Sequence, residues 1–176
     1  DLEGAQDNLE RSLELATEVG DEAQVVRATS QLAVVLVARE DLAEALTRCD
    51  EALLGARRRG DRVSEARALG TLGAVYLEQG QLELARAFFA EAVDHCQKVG
   101  EKRLGAFFLG RLGATFLEAG ELESARSCLG DAVSAFAELS DLRHEGLFLS
   151  HLAALESRAD NAAVAAVSVL EADVCS

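Results

Sequence analysis

Residues Leu69–Ala92 read LGTLGAVYLEQGQLELARAFFAEA, and forty positions on, Leu109–Ala132 read LGRLGATFLEAGELESARSCLGDA. In the first stretch and its flanks, Ala68, Leu69, Leu72, Val75 and Tyr76 recur at intervals of three and four. Gly80 interrupts, and Leu82, Ala85, Phe89, Ala92 and Val93 then recur in the same way before Gly100 interrupts again. Such spacing lines one face of a helix with apolar side chains. Each forty-residue period therefore predicts two helices joined by a short break, and short breaks make consecutive helices antiparallel neighbours.

The period extends in both directions. Gly20, Gly60 and Gly100 form one column, which Ser140 continues; Leu2, Leu42, Leu82 and Leu122 form another. Leu32, Leu72, Leu112 and Leu152 stand beside a small-residue column of Ala33, Gly73, Gly113 and Ala153. Ala5, Ala45, Ala85 and Ala125 recur likewise. Helices are expected near 1–19, 21–38, 41–59, 61–79, 81–99, 101–119, 121–139, 141–158 and 161–174, about nine in all. A glycine just past a helix end can take the left-handed conformation that satisfies the last carbonyls. Asp21, Asp61, Glu101 and Asp141 follow the breaks, where an aspartate can cap the next helix. Asp41 with Glu44 reads as a capping box, and Asn161 as the cap of the last helix.

Composition agrees. Proline is absent from all 176 residues, where ordinary usage of about 5% would place roughly nine. Proline breaks helix interiors, so its absence favours long helices. With 49% apolar residues the chain can bury a core. No linker divides it, so one domain is expected over residues 1–176. It would comprise a half repeat, 1–20, and repeats 21–60, 61–100, 101–140 and 141–176. The chain begins with Asp1 and contains no methionine, so a segment of a longer protein is expected.

Leu69, Leu72, Gly73 and Tyr76, followed by Ala85, Phe89 and Ala92, resemble the tetratricopeptide signature. Leu112, Gly113, Phe116, Ala125, Leu129 and Ala132 repeat it. Leu32, Ala33, Leu36, Ala45, Cys49 and Ala52 repeat it again, and Leu152, Ala153 and Glu156 give a degenerate last copy. The usual tryptophan is Leu69, the usual late proline is missing, and the period is 40 in place of 34. The longer unit is similar to arrays in bacterial multidomain regulators and kinases, in regulators of the maltose activator type, in kinesin light chains and in G-protein adaptors. The wording of Leu77–Arg86 and Leu117–Arg126 most resembles the bacterial group. The resemblance implies an all-α, right-handed solenoid of antiparallel helix pairs. It also implies a non-catalytic protein- or peptide-binding scaffold in a bacterial regulatory or signalling protein. The alternatives are a structural self-association module and a sensor of a small peptide or metabolite.

The same architecture implies that the first helix of each pair lines a concave groove. The residues expected there are Arg27, Gln31, Arg67, Gly70, Thr71, Ala74, Phe107, Gly110, Arg111, Ala114 and His151. Glycine and alanine would make its floor smooth and open to bulky side chains. The arginines stand out on a chain of net charge −14. Arginine holds a carboxylate through two parallel bonds, so a partner with acidic and apolar side chains is expected. The competing reading pairs these arginines with glutamates such as Glu78 and Glu118. Helix 1 lacks the partner that would precede it and the last helix lacks a following repeat; the alternatives are further repeats before helix 1 in the full protein, or a homo-oligomer formed through the terminal helices.

Chemistry finds little support. His95, His144 and His151 are not at metal-ligand spacing, and no phosphate loop or nucleophile elbow occurs. Cys49, Cys96, Cys128 and Cys175 form no C-x-x-C pair, so reduced thiols in a cytoplasmic protein are expected. No enzyme activity and no cofactor or metal site is expected. The acidic surface opposes nucleic acid and anionic membranes, and no apolar run is long enough to span a bilayer.

Overall fold

The computed structural model describes the backbone of residues 1–174 and the side chains of residues 1–160. Among the described residues there are eight α-helices and no strand. They are α1 (Leu2–Glu18), α2 (Glu22–Ala38), α3 (Leu42–Arg59), α4 (Arg62–Glu78), α5 (Leu82–Val99), α6 (Lys102–Glu118), α7 (Leu122–Glu138) and α8 (Leu142–Val174).

One device ends seven of them. Gly20, Glu40, Gly60, Gly80, Gly100, Gly120 and Ser140, twenty residues apart, all have positive φ, from 54° to 79°. The residue after each donates its N–H to a carbonyl five positions back: Asp21 to Ala16, Asp61 to Ala56, Glu101 to Cys96, and so on, at 2.9–3.0 Å. This closes the orphan carbonyls of the helix end. Asp21, Asp61 and Asp141 then cap the following helix, accepting from the N–H of Gln24, Ser64 and His144.

Two expectations are corrected. Asp41 makes no side-chain cap bond; its carboxylate lies 3.4 Å from Arg39 Nε instead, so the capping box with Glu44 does not form. The helices expected at 141–158 and 161–174 are one, α8. Position 160, next in the series of left-handed residues, is Asp160 in helical conformation. No break forms there, and Asn161 starts no helix.

By contacts the chain forms two compact units, Asp1–Phe108 and Leu109–Ser176, which divide within α6. In the first, α1 packs on α2, α2 on α3, α3 on α4 and α4 on α5, and α2 also reaches α4. Leu32, Leu36, Ala45 and Val75 are fully buried, with Leu9, Val37, Leu42 and Leu46 against them. Small residues admit large neighbours here. A Cβ on Gly73 would lie 2.9 Å from the Phe89 ring, and one on Gly55 would lie 2.6 Å from Val26. The cost of glycine in a helix, about 1 kcal/mol against alanine, is offset by this close approach.

The second unit holds the end of α6, α7 and the start of α8. Gly113 lies under Leu129, whose backbone nitrogen would be 3.0 Å from an added Cβ. Phe136 stacks between His144 and Phe148, with ring centroids 5.1 and 5.8 Å away. Glu156, which stands where the other repeats carry Leu36, Tyr76 and Phe116, receives both arms of Arg126 at 3.0 and 2.9 Å. Arg158 donates to the Leu117 carbonyl at the end of α6 at 2.8 Å. A polar clamp thus replaces the aromatic in the degenerate repeat.

Candidate functional site: an arginine-bearing helix face

The expected groove residues fall into two groups in each unit. In the first unit, Arg27 and Gln31 are exposed on α2 and Arg67 is exposed on α4. Ala74 and Phe107 are half-buried, the Phe107 ring standing edge-on to Phe108 at 5.8 Å. Arg27 and Arg67 occupy the same place in successive repeats. Neither makes an ion pair among the described residues, whereas the competing reading had such arginines paired with glutamates such as Glu78 and Glu118. Val34, 55% exposed, adds an apolar side chain to α2.

Gly70 and Thr71 lie beneath this surface. Thr71 is buried and donates to the Arg67 carbonyl at 2.9 Å. The expectation of an open floor at Gly70 is not met, because the Phe108 ring occupies the space a side chain would need. In the second unit the Phe148 ring covers Gly110 in the same way. Ala114 is buried there too, while Arg111 and His151 are half-buried. Burial and the nearby Arg111 cation depress the His151 imidazole below its usual range, against a smaller pull from Glu118. The ring is therefore neutral at pH 7.

Sequence reasoning missed the rings that fill these gaps. The signal was present: Phe108 and Phe148 stand forty apart, each thirty-eight residues past its glycine. It also missed Glu65. This carboxylate is buried on α4 and takes bonds from Arg57 of α3 at 2.9 Å and Arg62 at 2.8 Å. His95 of α5 is 3.7 Å away. Burial by itself would raise the Glu65 carboxyl, but the two guanidinium bonds prevail and hold it below the ordinary carboxylate range. The cluster ties three helices together around the buried carboxylate, with the arginines reaching it from the surface.

No group of three His, Cys, Asp or Glu among the described residues could hold a metal ion. Burial pushes the Cys49 thiol up to about 12 and that of Cys96 to about 11, which leaves both protonated and poorly nucleophilic at neutral pH. Cys175 lies outside the described residues. No helix among the described residues is long and apolar enough to cross a membrane.

Paired helices on a forty-residue period, with small-residue columns admitting large neighbours, define a helical-repeat protein of the solenoid class. The tetratricopeptide repeat model matches residues 24–98 and again 64–138, together more than half of the chain, and the chain belongs to that family. Similar solved structures include BtubC from P. vanneervenii, at 21% identity and TM-score 0.75 over 90% of this chain and 66% of that one. Another is a Rap protein complexed with Competence and Sporulation Factor, at 18% identity and TM-score 0.77 over 84% of this chain. A kinesin light chain-like repeat protein of Podosopora anserina matches at 13% identity and TM-score 0.61, over 91% of this chain and 89% of that one. The chain thus spans 66% of the BtubC chain and 41% of the Rap chain. No curated protein sequence matches it.

Proposed function

We propose that the chain is a non-catalytic scaffold of a bacterial regulatory protein, and that it binds an acidic, partly apolar segment of another protein or peptide on the Arg27–Arg67 face. The observation that carries this is the pair of arginines themselves. Both are exposed, both occupy the same repeat position, and neither makes an ion pair among the described residues, on a chain of net charge −14. An unpaired cation on an acidic surface is the natural place for a partner's carboxylate. Gln31 supplies a further donor, and Val34, Ala74 and Phe107 supply apolar contact. Tetratricopeptide repeats serve typically as protein-interaction scaffolds, and the Rap relative was solved with a bound factor; both support the reading.

The test uses two short fluorescent peptides, one alternating acidic and apolar residues and the other basic and apolar. The acidic peptide is expected to raise anisotropy and the basic one not. Arg67→Glu is expected to weaken binding by several-fold to about a hundred-fold, since losing a charged contact costs on the order of 1–3 kcal/mol. Unchanged affinity in both Arg27→Glu and Arg67→Glu would overturn the assignment.

A further inference from the structure

We propose that the bound segment leaves the Arg27–Arg67 face over the α3–α4 and α5–α6 turns, and that the partner carries a run of consecutive acidic residues there. This rests on the binding of an acidic segment to that face, and adds the layout of the segment.

Charge is unevenly spread over the first unit. Consecutive helices are antiparallel, so the turns at 60 and 100 lie at one edge and those at 40 and 80 at the other. Residues 57–62 hold four arginines and one aspartate, and residues 98–103 hold two lysines, one arginine and one glutamate. Their net charges are +3 and +2, whereas residues 39–44 and 78–83 stand at −2 each. On a chain of charge −14 the two positive turns are a local reversal. It is bounded, because the turn at 20, on the same edge, carries Glu18, Asp21 and Glu22.

Part of this positive charge is used within the chain. Arg57 and Arg62 hold Glu65, Arg59 meets Glu22 at 3.5 Å, and Lys98 meets Asp94. Arg58 and Lys102 are different. Both are exposed, and neither makes an ion pair among the described residues. They stand one at each positive turn. Arg58, in the last turn of α3, complements the negative end of that helix. Lys102 opens α6, where the helix end is itself positive and a cation is disfavoured. The fold gives no reason for a lysine there, while an anion arriving from outside does.

The edge is continuous with the arginine face. Arg67 lies five residues past Arg62 on α4, about 7.5 Å along the axis. It also stands beside the end of α5: burial and Glu101 raise the Cys96 thiol, and the Arg67 cation pulls against them. Helices α2 and α4, one repeat apart, pack together, and packed helices lie about 8–10 Å apart. An extended chain covers about 3.3–3.6 Å per residue. Two residues therefore carry the segment from Arg67 to the edge, and about three more cross from one positive turn to the next. A short acidic run ends inside the patch. A nucleic-acid strand, uniformly charged, would run on over the acidic turns that bound it.

Fluorescence anisotropy tests this with the peptide of alternating acidic and apolar residues and two extensions of it. One extension has four glutamates before the first residue, the other four after the last. At least one is expected to bind about three- to thirtyfold more tightly than the parent, which is what two exposed ion pairs supply. Arg58→Gln and Lys102→Gln together should remove that gain and leave the parent's affinity unchanged. Both side chains are exposed and unpaired, so the variant should keep the wild-type circular dichroism. The gain should also shrink with added salt, which screens exposed charges. A parent peptide that binds through Arg67 and gains nothing from either extension overturns this inference and leaves the arginine face standing. A gain retained by the double variant overturns it too. So does a labelled single-stranded RNA that binds as tightly as the extended peptide and is lost in the double variant, which would make the edge a phosphate site. A parent peptide that does not bind at all removes both the face and its extension.

Discussion

Glu65 shows how a single charge can hold three helices. Its carboxylate is depressed by Arg57 and Arg62 in spite of burial, and Asp61, one turn earlier, is depressed by the Ser64 N–H it caps. A group whose folded pKa lies below its unfolded value stabilises fully above the unfolded pKa, about 4 for carboxylates. That contribution is lost as pH falls through the folded pKa. Glu65→Gln is therefore expected to lower stability at pH 7 by about 1–2 kcal/mol. This is the low end for charged hydrogen bonds, because both arginines are half in water. The variant should also lose less stability than the wild type between about pH 5 and pH 3; urea melts at several pH values measure both effects. None of this was legible in the sequence, where Glu65 is one acid among many on an acidic helix. What charge it meets depends on the angle between α3 and α4. The left-handed residues were more readable. Glycine announced five of them and the period pointed to Ser140, but Glu40 looked like any other surface glutamate.

At the scale of the helix, the period fixed the order and spacing of α1 to α7, because apolar stripes and glycine breaks are local signals. The join within α8 was misread for the same reason: regularity suggested a break at 160, yet Asp160 stays helical, although Glu40 and Ser140, which are not glycine either, take the left-handed turn at their own positions. The small-residue columns were recognised as packing at Gly73 and Gly113. Gly70 and Gly110 were read as open groove, because sequence spacing cannot tell a face toward solvent from a face toward the helix two further along. Gly110→Leu distinguishes these directly. With the Phe148 ring over it, the substitution should destabilise by about 1–3 kcal/mol or more, as overpacking does. Its melting temperature would equal that of the wild type if the position were an open floor.

For the molecule as a whole, the exposure of Arg27, Gln31 and Arg67 was expected from the architecture that the family resemblance implied, while the depth of Thr71 and Ala114 needed coordinates. The Phe108–Gly70 contact bears on how such a chain can be lengthened or shortened. A perfect repeat is interchangeable currency, and any forty-residue block could be cut out and the ends rejoined. This chain is not of that kind. Removal of residues 61–100 would join Gly60 to Glu101 in good register, yet Phe108 would then face Ser30, whose hydroxyl already bonds to the Val26 carbonyl. The shortened chain should melt well below the full one, and Ser30→Gly within it should recover part of the loss, readable by thermal circular dichroism. Equal melting with and without that substitution would mean that the ring finds room elsewhere. Each block is fitted to its neighbour, so the order of the blocks is set by which ring meets which small residue.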